Sequence, residues 1–453
     1  MKKSRSDIIY KLNDNPGFAP ALLAAIQHLL SIFVGIITPS LIIGSVLGLN
    51  AEIPYLISMA LIVSGIATFI QAKTIGPIGS GLLSIQGTSF AFLGPIITAG
   101  LVIKNQGGDA NEILGTLFAL CFVGAFIEMF ASRFLHFLKK IITPVVTGTV
   151  VTLIGLSLIK VAVTDMAGGQ VLLDNNPEQF GDLNNLLIAG MTLIIIIILN
   201  RSQNPLIRMS SIIFGLIVGY IISYFTIGVD FEAITRLPKI SIPIPFKYGF
   251  KFNWNVFFPI ALVYVITTIE SIGDLTATSM VSEEPIKGKK YINRIKAGIL
   301  GDGFNSMIAA IFNTFPNTTF SQNNGVIQLT GIASRFIGMY VAGLLVLLGM
   351  FPVIGGIFQQ MPKPVLGGAT IIMFGTVASA GIKILASQSI NRRSMMIIAL
   401  SYGLGLGVQL VPEILQLTPN IIQTIFSSPI TTGGLTAIIC NIILPNEEKT
   451  GKS

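Results

Sequence analysis

The runs PVVTGTVVTLIGLSLIK (Pro144–Lys160) and PVLGGATIIMFGTVASAGIK (Pro364–Lys383) decide the architecture. Each opens on proline, carries glycine four and eleven positions later (Gly148 and Gly155; Gly368 and Gly375) and ends in Ile-Lys. Glycine-rich apolar helices can match by chance, but the offset of 220 residues is about half the chain, as a duplication would leave it. Placed among the apolar runs, the first is the fifth candidate span and the second the twelfth. Seven spans separate them, and an odd number inverts orientation: Lys160 falls outside and Lys383 inside. Inverted repeats of this kind characterise many carriers, whose substrate site lies at mid-membrane between broken helices.

Composition agrees. Of 453 residues 52% are hydrophobic and 11% charged, with a mean hydropathy of +0.79, whereas a soluble domain carries about 25% charged residues. Such a chain cannot cover a water-facing surface of its own size. That excludes a cytosolic enzyme, a disordered protein and a disulfide-stapled secreted scaffold. Cys121 and Cys440 both lie in apolar runs and imply neither a disulfide framework nor a metal cluster. The net charge of +8 reads as membrane orientation rather than as a nucleic-acid surface.

A membrane-crossing helix needs about 20 mostly apolar residues. Fourteen candidates stand near 18–39, 54–72, 81–103, 113–132, 141–159, 184–199, 209–228, 255–280, 297–312, 322–334, 336–361, 364–382, 394–412 and 420–444. The third, ninth and tenth are interrupted by polar or glycine residues. The first is too long for a signal-peptide core and should remain as a span. With both termini inside, 21 of the 28 Lys and Arg residues fall on inner segments. The outer seven are Lys104, Lys160, Arg236, Lys239, Lys247, Lys251 and Lys363; four of these sit in the long segment 229–254, where the positive-inside rule is weaker. The expected division is a first repeat over 1–228, a connecting segment over 229–254 and a second repeat over 255–444.

Two broken spans match between the halves: SIQGTSFAFLGP (Ser84–Pro95) and FNTFPNTTFSQNNGVIQLTG (Phe312–Gly331). Irregular backbone at membrane depth is tolerated where protein buries it or a wet cavity receives it. A short strand at TSF or TTF followed by a helix start would aim a helix N-terminus at a ligand. Four acids fall inside spans: Glu128, Glu270, Asp274 and Asp302. Each costs about 2.5–3.5 kcal/mol at mid-bilayer and so needs a partner or a task. Glu270 and Asp274 stand one helical turn apart and share a face. Glu128, close to Arg133, reads as an acid that snorkels to the surface. Asp302 sits between glycines in ILGDGFNSM, as a site acid or a cap near a span end. Gln27 and His28 lie in the first span, which pairs with the eighth under the repeat; His28 is either a packing histidine or a site residue.

At SQNNGVIQLTG the pattern Gln322-Asn323-x-Gly325-x-x-x-x-Thr330-Gly331 resembles the signature of the xanthine/uracil permease family, the nucleobase–ascorbate transporters. The Gln27-His28 pair resembles the family's other short motif. ESIGD (Glu270–Asp274), GDG (Gly301–Gly303) and NTFPNTTFSQNNG resemble its bacterial purine branch, and the similarity runs over nearly the whole chain. The resemblance implies an all-α polytopic protein of fourteen spans in two inverted seven-span repeats, with a core domain of spans 1–4 and 8–11 and a gate domain of spans 5–7 and 12–14. It further implies a homodimer in the cytoplasmic (inner) membrane, with no cofactor and the proton as coupling ion. Gln322 stands where uracil carriers of the family tend to place a carboxylate, which favours an oxidised purine, xanthine or uric acid.

The chemistry of the residues fits that expectation. A xanthine or urate edge presents N–H donors beside carbonyl acceptors. An ionised Glu270 accepts N–H bonds, and the Gln322 amide both donates and accepts. Phe90 is a candidate to stack on the ring, with Asn323 and backbone groups near Ser89 and Ser321 completing the contacts. Because Glu270 must stay ionised to accept purine N–H groups, Asp302 is the better proton carrier, with Asp274 or His28 as relay. A membrane-embedded enzyme lacks support, since no HExxH, nucleophile elbow or Walker loop appears. A channel gives no reason for a Glu–Gln pair. An anion exchanger of the related sulfate-transporter fold should not place a carboxylate at its site.

Overall fold

A lipid interior leaves backbone polar groups no outside partner, so apolar segments close their hydrogen bonds as helices. The computed structural model describes residues 8–134, 143–228 and 232–445. The inner-segment cations Lys2, Lys3, Arg5, Lys139, Lys140, Lys449 and Lys452 lie outside the described residues. The chain is mostly helical. Its principal helices are α1 (Phe18–Leu47), α2 (Ile53–Lys73), α3 (Leu93–Asn105), α4 (Ala110–Ala131), α5 (Pro144–Met166), α6 (Leu183–Asn200), α7 (Ser211–Thr226) and α8 (Phe257–Val281). They continue with α9 (Gly288–Ile311), α10 (Gln322–Thr330), α11 (Arg335–Gly349), α12 (Pro352–Gln359), α13 (Lys363–Ala386), α14 (Arg392–Leu410) and α15 (Pro429–Ile443). Two short strands, β1 (Gln86–Thr88) and β2 (Asn317–Thr319), pair with each other. Among the described residues, eight helices are long and apolar enough to cross a membrane, and the bent pair α11–α12 makes a ninth. The apolar helices α3, α7 and α15 are shorter.

Several helix limits differ from the sequence reading. The first helix runs through Pro39 to Leu47, because residues on both sides of the proline are buried against neighbours and hold the axis. The eleventh apolar run is two helices bent by 73°, with Pro352 at the start of the second. The ninth extends back to Gly288 and begins in a basic turn, Lys289–Lys290. In the last run, a short helix over Asn420–Phe426 precedes α15, whose first turn is capped by Ser428 accepting from Thr431 N (3.4 Å).

The two proline-glycine copies pack against each other as α5 and α13. A Cβ on Gly148 would lie 2.9 Å from Gly381 O, and one on Gly381 2.7 Å from Gly148 O, so glycine permits the backbones to touch. The matched positions are not used alike: Gly155 meets Phe374 and Ala378, whereas Gly375 has nothing within 4 Å. The helices α6, α7, α14 and α15 assemble around this pair. A second group forms as α2 packs on α11 and α9, α4 on α9 and α8, and α1 on α2 and α11.

Residues of the stretch 232–254 are tied to one end of the second group. Lys247 Nζ pairs with Glu52 Oε2 (3.1 Å) and lies 3.9 Å from the Tyr55 ring centroid. Asn313 Nδ2 donates to Ile244 O (2.6 Å), and Phe246 N to Ile311 O (2.8 Å). At the opposite end, the α8–α9 turn is held by Glu284 with Lys290 (3.0 Å) and Arg294 (2.9 Å). Partial burial pushes the Glu284 carboxyl up, but the two cations outweigh it and hold the group below the usual glutamate range.

Candidate functional site

The site grows from the β1–β2 ribbon. The strands run antiparallel with Gln86 opposite Thr319, Gly87 opposite Thr318 and Thr88 opposite Asn317. Ser89 N donates to Pro316 O (2.8 Å) and Phe320 N to Ile85 O (3.0 Å), which carries the pairing past both strand ends. Two irregular, buried segments from opposite halves thus satisfy each other's main-chain groups. Each strand then feeds a helix: a single turn at Phe90–Phe92 leads into α3, and Ser321 leads into α10.

Helix α8 borders this ribbon and presents three turns of polar residues to it. Asp274 Oδ2 accepts from Thr319 Oγ1 (3.2 Å), and Thr278 Oγ1 donates to Asn324 Oδ1 (2.7 Å). Those bonds fasten α8 to β2 and α10. One turn before Asp274, Glu270 is half-buried, and its Oε2 is buried with no partner among the described residues. Gln322 is half-buried at the first position of α10. Asn323 donates through Nδ2 to Leu83 O, leaving Oδ1 unpartnered. His28 is fully buried on α1 facing Asn323, with neither ring nitrogen in a well-formed bond.

Phe90 is buried and stands edge-on to Phe374 of α13 (5.6 Å between centroids, 80°). Ser89 is buried; its N–H is already spent on Pro316, so of its donors only the hydroxyl, which has no partner, is free for a ligand. Ser321 is half-buried as the residue before α10 and makes no side-chain cap bond.

Asp302 occupies the middle of α9, not a loop or a cap, and is fully buried. Gln71 Nε2 of α2 donates to its Oδ1 (2.6 Å) and also reaches Gly298 O (2.8 Å), while Ser80 N donates to Gln71 Oε1 (2.8 Å). Ser271 of α8 donates to Asp302 Oδ2. The flanking glycines explain the GDG motif. A Cβ on Gly301 would lie 2.9 Å from Gln71 Nε2, and one on Gly303 2.8 Å from Met129 N, so α9 touches α2 on one side and α4 on the other. Sequence reasoning did not find Gln71 or Ser271, because one amide and one hydroxyl in apolar helices carry no motif of their own.

One expectation is corrected. Glu128 does not snorkel: it is 1% exposed, and its Oε1 has no partner. The α4–α9 contact at Gly303 covers the face that Glu128 would need to reach the surface. Among the described residues none of Glu128, Glu270, Asp274 and Asp302 forms an ion pair, and no three His, Cys, Asp or Glu side chains are grouped to hold a metal. The arrangement leaves a carboxylate oxygen of Glu270 unpaired one turn from Asp274, which is itself bonded to β2.

Comparison with known proteins gives the same direction. Residues 20–414 match the sequence pattern of the permease family that takes its name from xanthine and uracil permeases. The chain is 47% identical to the xanthine permeases XanP and XanQ of Escherichia coli, over 98% of this chain and 96% of XanP and over 97% and 94% for XanQ. It is 35% identical to the uric acid permease PucJ of Bacillus subtilis, over 94% and 92%. Among solved structures, the transmembrane domain of the cyanobacterial bicarbonate transporter BicA superposes with a TM-score of 0.58 at 14% identity, over 96% of this chain and all of that one. The murine anion transporter Slc26a9 gives 0.63 at 13%, over 95% and 69%; both show a shared fold alone. A family pattern over most of the length, near-full-length relatives and a transporter fold agree: the chain belongs to the nucleobase–ascorbate transporter family of membrane permeases.

Proposed function

We propose that this permease imports an oxidised purine, xanthine with uric acid also accepted, across the cytoplasmic membrane in symport with protons. The observation that carries the reading is the buried, unpartnered Oε2 of Glu270 on α8, the helix whose next two turns are bonded to β2 and to α10. A lone carboxylate oxygen at this depth needs a donor, and a purine N–H supplies one. The Gln322 amide then pairs with the adjoining N–H and C=O, Phe90 offers its ring, and Ser89, Ser321 and Asn323 border the same space. The xanthine and uric acid permeases among the relatives support this substrate class.

Asp302 is the proposed coupling acid, bonded to Ser271 on the substrate-bearing helix and to Gln71 on α2. Asp274 and His28 are the proposed relays. The architecture proposed is fourteen spans as two inverted repeats, with both termini cytoplasmic. Helices α1–α4 and α8–α12 would form a core, α5–α7 and α13–α15 a gate, and two copies a dimer. The antiparallel β1–β2 pair, drawn from corresponding places in the two halves, and the α5–α13 packing support that symmetry. Anion transporters share the fold, but four acids with no paired cation among the described residues disfavour a small inorganic anion, which has no N–H edge to offer a carboxylate. The test is uptake of radiolabelled xanthine by cells with and without a protonophore. Uptake abolished by the protonophore is expected; uptake indifferent to it removes proton symport, and no uptake of any nucleobase removes the carrier reading.

A further inference from the structure

Glu128 is the buried acid left without a task by the substrate contacts and the coupling role. It lies late in α4 at 1% exposure with Oε1 unpartnered. Its surroundings are set by backbone contact: with Gly303 pressed against Ala125 O and Met129 N, the turn of α4 that carries Glu128 lies on the turn of α9 that carries Asp302. Glu128 is in electrostatic reach of Asp302 and of Glu270. The other titratable group in reach of it is Tyr264 of α8, whose hydroxyl donates to Cys121 O (2.8 Å). Arg133 lies in the turn just past the same helix and is exposed. Among the described residues no cation therefore answers Glu128 in the buried layer.

An ionised carboxylate so placed, at 1% exposure beside two other acids and with one oxygen bare, is strongly disfavoured, whereas Glu270 is only half-buried. A carboxylic acid is neutral and turns one oxygen into a donor. We infer that Glu128 carries a proton in the substrate-free protein and exchanges it with Asp302, so that the two carboxyls share the coupling proton. In the step, the O–H bond of the Glu128 acid breaks as one forms on the Asp302 carboxylate, and the charge of the pair is unchanged. Such a pair titrates as a unit rather than as two separate groups. It also extends the proton's route from Asp302 along α4 towards Ser132 and Arg133.

This inference rests on the proton-symport reading, and two measurements keep the two apart. Infrared spectra of the purified, substrate-free protein report the C=O stretch of a protonated carboxyl. That band should be lost in Glu128→Gln and shifted but retained in Glu128→Asp, which keeps the acid should the amide variant fold poorly. In cells, Glu128→Gln should retain xanthine exchange within about threefold while protonophore-sensitive accumulation falls by about tenfold or more, and Glu128→Asp should recover part of it. A spectrum in which both variants leave the protonated-carboxyl band unchanged overturns the inference, as does wild-type accumulation in Glu128→Gln. Uptake by the unmodified protein that ignores a protonophore overturns the parent reading instead.

Discussion

Glu270 and Asp302 are both buried acids of neighbouring helices, yet their surroundings divide the work. Glu270 keeps an oxygen free, while Asp302 has both oxygens engaged, by Gln71 and Ser271. Glu270→Gln keeps the shape but sets an N–H donor against a purine N–H. It should cost about 2–4 kcal/mol, roughly 30- to 1,000-fold in affinity; an unchanged ligand-induced thermal shift would refute the contact. Asp302→Asn should still bind purine and exchange labelled for unlabelled substrate, but fail to accumulate it, since a permanently neutral side chain cannot link proton and ligand binding. Full protonophore-sensitive accumulation in that variant would move the coupling to another acid. Ser89 is small and buried at the end of β1, and a larger amide there narrows the space beside the imidazole ring. Ser89→Asn should therefore lose urate, with its extra oxygen, more than xanthine in a competition assay; equal loss would place Ser89 elsewhere. The acids were legible as residues because charge in an apolar run is costly wherever it lies. Their partners were not, since Gln71 and Asp302 are 231 positions apart.

Among the elements, α9 shows how close approach is bought with glycine. In Gly303→Ala the new Cβ would lie 2.8 Å from Met129 N and 3.1 Å from Ala125 O, both of the main chain, so α4 and α9 must separate. A loss of about 1–3 kcal/mol is expected, read as a lower Tm of the purified protein. Gly190→Ala on α6, where a Cβ meets nothing within 4 Å, should leave Tm unchanged or raise it. Equal shifts in the two variants would contradict the packing. The α8–α9 turn gives a pH dependence. Glu284 is held below the ordinary glutamate range, net of the partial burial that opposes this, by Lys290 and Arg294. Its contribution is present above that range, about 4.3, and is lost as the pH falls through the lowered value. Glu284→Gln should lower Tm at neutral pH, and the difference should vanish in acid; a constant difference would assign the effect to shape. Most elements were legible from apolar runs, but their ends were not: Pro39 is passed over inside α1 while Pro352 breaks the chain by 73°. The same residue type yields opposite results because burial on both flanks decides whether a helix continues.

For the whole molecule, the proposed core and gate must move against each other. Gly94 at the start of α3 and Ser428 before α15 face across that seam, with the Cβ positions 3.9 Å apart, a span suited to a disulfide. Gly94→Cys combined with Ser428→Cys should lose uptake on oxidation and regain it on reduction. Full uptake with the bond formed throughout the sample would show that the seam is not one of motion. The fourteen-span reading has its own check, in which a cysteine at Lys247 is labelled from outside the cell and one at Lys287 only from within. Labelling of both from one side would break the count.

The sequence by itself determined the membrane class, the broken third and tenth segments, the acids on α8 and α9 and the likeness of α5 to α13. Each of these depends on residues near one another in the chain or on a repeated pattern along it. Only the tertiary structure decided that β1 and β2 pair across the two halves, that Gln71 and Ser271 hold Asp302, that Phe374 meets Phe90 and that Glu128 is sealed inside. An apolar helix is apolar on nearly every side, so its sequence does not tell which face meets protein and which meets lipid. That choice is made by packing, where Gly303 lets one backbone rest on another and closes the surface over Glu128.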